Sequence, residues 1–264
     1  MSKPPLRISV VSFLNSRPYL DALKTPSLAS IFEISTDIPS ECARKLINRE
    51  VDLGLIPVAM IRSLPTPRIL PDYCISADGK VDSVLLVSRV PLKDISTVLL
   101  DPSSRTSVQL ARILADELWH IHPTWIEADN GTMDLSNPLE TDAAVVIGDR
   151  ALQFASGFPV VIDLAEEWKR MTGLPFVFAA WVSNGEIDPE DSLRLREGFK
   201  QVEHLEIEFL NTLQKEFPYV DVEEYLTLRI RYRLGEREKE GMKLFLTKLQ
   251  VREGYSSSLS FMEA

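Results

Sequence analysis

The sequence predicts an α/β protein built as two tandem units around parallel-rich sheets. Three observations carry that prediction. Short apolar runs alternate with amphipathic helical stretches, the alternation restarts near Thr97, and beyond Gly185 the chain turns into charged amphipathic helix. Alternation of this kind places helices over a sheet, and continuous apolar runs belong to strands covered on both faces.

The elements follow in order. Residues 7–13 (RISVVSF) and 31–36 (IFEIST) read as strands. Residues 40–50 read as a helix, with Ser40 as N-cap, Glu41 against the dipole, and Cys42, Ala43, Leu46 and Ile47 as its apolar stripe. Residues 52–58 and 83–88 are further apolar strands. The second unit opens with a strand at 97–101 and a helix at 104–119 carrying Leu110, Leu114 and Leu118 on one face. Strands at 143–147 and 160–164, a helix around 166–171 and a strand at 176–182 complete it. The aromatic run from Phe176 to Trp181 reads as core. After that, Phe199, Val202, Phe209 and Leu213 share one helical face, and Met242, Phe245, Leu246 and Leu249 stripe a last helix.

Composition narrows the function. The 264 residues carry 29 Lys and Arg against 39 Asp and Glu, a net charge of -10. A chain so acidic is a poor match for nucleic acid, where basic side chains must replace the counterion cloud. The segment 96–180 is the most acidic, at a net of -7, so an anion site there has to be built from local donors. No apolar run reaches the ~20 residues of a membrane helix, and residues 1–18 lack the pattern of a secretory leader. Cys42 and Cys74 stand alone, with no CxxC pair for zinc or a disulfide framework. The expectation is a cytoplasmic protein with reduced thiols, no metal, no cofactor, and neither nucleic acid nor membrane as partner.

In open α/β sheets ligands sit beyond the carboxyl ends of strands, which singles out three places. After the first strand come Asn15, Ser16 and Arg17; a turn with a solvated Arg is the alternative there. At 101–107, Ser103, Ser104, Arg105, Thr106 and Ser107 crowd the mouth of a helix whose first N–H groups have no intrahelical acceptor. That set suits a carboxylate or phosphate; helix capping by Ser103 or Ser104 with a solvated Arg105 is the alternative. After 143–147, Asp149 either faces the same cleft or caps the next helix. Ser83 opens an apolar strand and faces either a ligand or nothing. There is no GxGxxG, Walker loop, GxSxG or HExxH, and His120, His122 and His204 lie away from every strand end, so a histidine base is not expected.

Seven segments carry a family resemblance. They are residues 12–18 (SFLNSRP), 39–43 (PSECA), 51–59 (VDLGLIPVA), 75–79 (ISADG), 100–107 (LDPSSRTS), 147–152 (IGDRAL) and 166–176 (EEWKRMTGLPF). In this order they resemble the chorismate dehydratases of the futalosine route to menaquinone, over residues 8–182. The resemblance implies a type II periplasmic-binding-protein fold: two lobes joined by two crossover strands, with the ligand clamped between them. Strands 83–88 and 176–182 fit the crossovers, giving one lobe from 1–89 with 183–264 and an inserted lobe at 90–182.

It further implies loss of water from chorismate to give 3-[(1-carboxyvinyl)oxy]benzoate. The substrate is a dianion, so Ser103 to Ser107 are expected at one carboxylate, and Asn15, Arg17 and Ser83 at the other carboxylate and the leaving hydroxyl. The base is either Asp149 or the substrate's own enolpyruvyl carboxylate, and repulsion between an ionised Asp and a dianion favours the second. Two alternatives stand beside this: a non-catalytic small-anion module on the same fold, and the sister dihydroxynaphthoate synthase, in which a histidine base is expected. A transport receptor would need an export leader, and a regulator a DNA-binding segment ahead of the first strand.

Overall fold

The computed structural model describes residues 4–128 and 140–253. Along the chain lie β1 (Leu6–Val11), α1 (Arg17–Leu23), α2 (Pro26–Ala29), β2 (Phe32–Asp37), α3 (Pro39–Ile47), β3 (Leu53–Pro57), β4 (Pro67–Ala77) and β5 (Val84–Ser88). Next come β6 (Thr97–Leu100), α4 (Thr106–Leu114), β7 (Thr124–Glu127), β8 (Ala143–Ile147), α5 (Asp149–Phe154), β9 (Val160–Asp163), α6 (Leu164–Thr172) and β10 (Phe176–Asn184). The chain closes with α7 (Pro189–Phe199), α8 (Ile207–Glu216), α9 (Val222–Glu224), β11 (Arg231–Leu234) and α10 (Glu236–Glu253).

Two sheets result, in the orders β11-β4-β10-β3-β1-β2 and β7-β6-β8-β5-β9. In the first, β1 runs parallel to β2 and β3 while β10 is antiparallel to β3 and β4. In the second, β6 is parallel to β7 and β8, and β5 lies antiparallel between β8 and β9. Each sheet is therefore mixed, with a parallel half as the sequence predicts.

The lobe boundaries differ from the expected ones. Strand β5 pairs wholly within the five-stranded sheet and β10 wholly within the six-stranded one, so neither spans the lobes. The chain crosses in two short segments instead, 78–83 and 173–175, and the inserted lobe runs from about Val84 to Thr172 rather than over 90–182. Every residue of β5 is buried, as in any central strand covered on both faces, and that character imitates a lobe-spanning strand in the sequence.

Caps also shift. Helix α3 begins at Pro39, whose missing N–H costs nothing at the first helical position, so Ser40 sits inside the helix and does not cap it. Helix α4 starts at Thr106 with Arg105 in the N-cap position and no side-chain cap, so neither Ser103 nor Ser104 caps it. Asp149 is the first residue of α5, and Gly148 occupies the cap.

The first lobe's core centres on Tyr19, whose ring meets Phe199 at 4.8 Å, Trp181 at 5.3 Å and Tyr232 at 5.4 Å between centroids. Phe176 and Trp181 are fully buried, as expected of core, while Phe178 is only partly so. Cys42 and Cys74 are buried free thiols. Among the described residues no helix is long and apolar enough to cross a membrane.

Candidate functional site

The lobes face each other across a narrow cleft with a cavity of about 60 Å³. Its floor and walls are apolar, from Phe13 beyond β1, Ile75 on β4, Ile147 on β8 and Phe178 on β10. Polar groups enter from both sides. Asn15 comes from the first lobe, and Ser104, Arg105, Thr106 and Ser107 from the loop and first turn of α4 in the second. Two of the three strand ends singled out in the sequence thus supply side chains to one cleft, and the third contributes Gly148.

Loop 101–105 is shaped by a residue the sequence reading passed over. The Asp101 side chain is fully buried; its Oδ1 accepts from the Ser103 N–H at 3.0 Å and the Ser103 hydroxyl at 2.6 Å. Its Oδ2 accepts from Arg150 at 2.6 Å. An Asp followed by Pro-Ser-Ser is an Asx-turn signal that could have exposed this role. Ser103 therefore spends its hydroxyl within the loop and does not line the cleft. Ser104 and Ser107 are buried, and their hydroxyls make no hydrogen bond among the described residues. Arg105 is exposed at the cleft and has no ion pair among the described residues. These groups and the uncapped start of α4 form a donor-rich wall suited to a carboxylate.

The remaining expected residues lie around the cleft rather than in its lining. Arg17 donates to Glu216 at 2.6 Å and lies 5.9 Å from the Phe217 ring centroid, turned toward the C-terminal helices. Ser83 is completely buried and its Oγ accepts from the Tyr225 hydroxyl at 2.8 Å. Asp149 accepts the Leu14 N–H at 2.9 Å; burial raises its carboxyl above the usual range, against that bond and the charge of Arg17. The three histidines are exposed and none lines the cleft.

Two contacts hold the lobes together at the cleft's edge besides Asp149. The Thr106 hydroxyl accepts the Ala59 N–H at 3.2 Å. Gly148 lies against the face of Phe13, where a Cβ would come within 2.9 Å of the ring. Asn15 completes the arrangement: its Oδ1 is buried without a hydrogen-bond partner, an arrangement that costs stability unless something else is there to meet it.

Two mixed α/β lobes closing on a cleft with oxyanion-type donors define a protein of the periplasmic-binding-protein fold. Solved structures of that kind superpose over nearly the whole chain. A protein from Archaeoglobus fulgidus matches with a TM-score of 0.71 at 14% identity, covering 96% of this chain and 99% of its own. The alkanesulfonate-binding protein SsuA from Xanthomonas axonopodis pv. citri, bound to MOPS, gives 0.63 at 13%, covering 98% and 96%. The family model for menaquinone biosynthesis matches residues 6–250, and the chain belongs to that family. Among its curated relatives, the chorismate dehydratase of Thermus thermophilus is 29% identical over 245 residues, 83% of this chain and 87% of the relative. That of Campylobacter jejuni is 29% identical over 175 residues, 66% of this chain and 64% of the relative.

Proposed function

We propose that this protein is a chorismate dehydratase, a hydro-lyase acting in the cytoplasm that converts chorismate to 3-[(1-carboxyvinyl)oxy]benzoate and water. The observation that carries the reading, in a chain of this family, is the convergence of Asn15 from one lobe and Ser104 to Ser107 from the other on a single apolar cleft.

The chemistry asks little beyond orientation. A proton leaves ring carbon C3, the C–O bond at C4 breaks, and the ring becomes aromatic. No electron acceptor is needed and the products balance as benzoate plus water. The site's contribution is to hold the dianion, assist the departing hydroxyl and keep water from competing. In this reading Ser104, Arg105 and Ser107, with the first N–H groups of α4, bind the ring carboxylate. Thr106 joins them through its hydroxyl hydrogen, since its oxygen already accepts from Ala59. Asn15 addresses the leaving hydroxyl, with Ser83 behind it.

The base in this reading is the substrate's enolpyruvyl carboxylate folded over the ring. Asp149 is engaged by the Leu14 N–H in the wall between the lobes, and an ionised carboxylate beside a dianion carries a repulsive cost. The test is incubation of the purified protein with chorismate, followed by mass spectrometry. The expected product is lighter by ~18 mass units, the mass of water; chorismate that binds but is recovered intact would leave only a small-anion module on this fold.

A further inference from the structure

The C-terminal segment after Gly185 has no role in the reading above, yet it reaches the site through two tyrosines. Tyr225 donates its hydroxyl to Ser83 Oγ at 2.8 Å, and the Asn15 side chain stands beside the same hydroxyl. Tyr232, on β11, donates to the Asn15 backbone carbonyl at 2.9 Å. Both rings are almost wholly buried, Tyr225 at 2% and Tyr232 at 5% exposure.

The turn that carries Tyr225 is itself fastened around Ser83. Residues 225–229 form a π-helical turn closed by the Ile230 N–H to the Tyr225 carbonyl at 3.1 Å, an irregularity found mostly where side chains must be aimed. From its other end Arg229 donates to Asp82 at 2.7 Å. Asp82, immediately before Ser83, has a left-handed φ of 63°, a region uncommon outside glycine but tolerated by aspartate. Its N–H is bound by Asp163 at 2.7 Å. One turn of the C-terminal segment thus grips two consecutive residues of the first lobe crossing.

The bond direction has a consequence. Because Ser83 Oγ accepts from Tyr225, the serine must donate its own hydrogen elsewhere. No described residue accepts that hydrogen, and Asn15 Oδ1 at the cleft is likewise without a partner, so both are left for a ligand. Burial keeps the Tyr225 hydroxyl protonated well above its ordinary range, so its hydrogen stays available to Ser83. With phenylalanine at 225, Ser83 would be free to rotate and Asn15 would lose a neighbour that fixes it.

We propose that Tyr225 is a positioning residue of the dehydration, orienting the Ser83 hydroxyl and the Asn15 side chain toward the hydroxyl that leaves. The inference rests on the chorismate dehydratase reading and deepens it, since it makes the C-terminal segment part of the active site. The experiment compares wild type, Tyr225→Phe, Ser83→Ala and the double variant, by steady-state kinetics with chorismate and by thermal unfolding. Loss of one oriented hydrogen bond predicts a kcat lower by about 10-fold in Tyr225→Phe. KM is expected to stay near the wild-type value, and the double variant to be no slower than the slower single one.

A Tyr225→Phe protein with wild-type kcat, or losses that multiply in the double variant, would overturn the proposal. Should Tyr225→Phe fail to fold, 3-fluorotyrosine at position 225 keeps ring and hydroxyl but sharpens the donor. A changed kcat at constant KM then supports the role, and an unchanged kcat overturns it. Wild-type protein inert toward chorismate would instead remove the function reading, and this role with it.

Discussion

Replacing Gly148 by alanine probes the closure of the lobes at one atom. Gly148 has φ 64° and ψ −146°, a region that side-chain-bearing residues avoid at a cost of about 1–3 kcal/mol. Its added Cβ would stand 2.9 Å from Phe13 Cδ2 and 3.0 Å from Cε2 and Cγ, where ordinary contacts begin near 3.5 Å. The ring has no single flexible end to move, so relief requires Phe13 to withdraw by about 0.5 Å, taking the Leu14 N–H away from Asp149. A penalty of about 2 kcal/mol on the closed form lowers its population roughly 30-fold, and apparent affinity falls by the same factor where the closed form is the one that binds. Titration calorimetry with chorismate measures it, beside thermal unfolding to separate closure from folding. Because Phe13 also walls the cleft, the double variant Phe13→Ala with Gly148→Ala is read against Phe13→Ala alone, and that difference should contain the part due to φ but not the part due to the clash. Wild-type affinity in Gly148→Ala would refute the view that this contact is part of the binding state.

Arg105→Ala should weaken chorismate binding by about 10-fold, more at low salt, without lowering the melting temperature, because the side chain is exposed and makes no ion pair among the described residues; unchanged affinity would misplace the carboxylate site. Asp149→Asn should keep turnover within several-fold of wild type if the substrate supplies the base, whereas a loss above ~100-fold with binding intact assigns the proton to Asp149. Asp142 accepts from the N–H and hydroxyl of both Ser96 and Thr97, which holds its carboxyl at about 2, below the ordinary value. A depressed pKa stabilises the fold above the unfolded value of roughly 3.9, and that contribution disappears as pH falls through about 2. Asp142→Asn should therefore be least stable relative to wild type near neutral pH and match it below about pH 2, as urea unfolding across pH would show.

Much of the site was readable because it sits where a chain leaves a strand. Asn15 and Ser104 to Ser107 needed only strand ends and residue types to be placed in one cleft. What escaped depends on contacts far apart in sequence. Ser103 looks like its neighbours in the chain, but a buried Asp101 two residues earlier takes its hydroxyl. Arg17 is indistinguishable from a ligand-binding arginine until Glu216 is seen beside it, 199 positions away. Tyr225 and Tyr232 lie in a stretch whose charges read as helix. The alternation of Arg231–Leu234 spans four residues, too few to betray the edge strand β11. The crossings were misplaced for the same physical reason that made the strands easy to find: buried apolar runs say that a strand is central, not which sheet it is central to.

A cleft that eliminates water differs from one that merely holds an anion in what becomes of chorismate. Proton NMR of chorismate incubated with catalytic amounts of the protein reads this directly. Dehydration predicts loss of the ring-diene and carbinol signals, growth of a meta-disubstituted benzoate pattern, and retention of the enolpyruvyl methylene pair. Chorismate signals that broaden on binding yet never convert, or conversion that releases pyruvate, would contradict it.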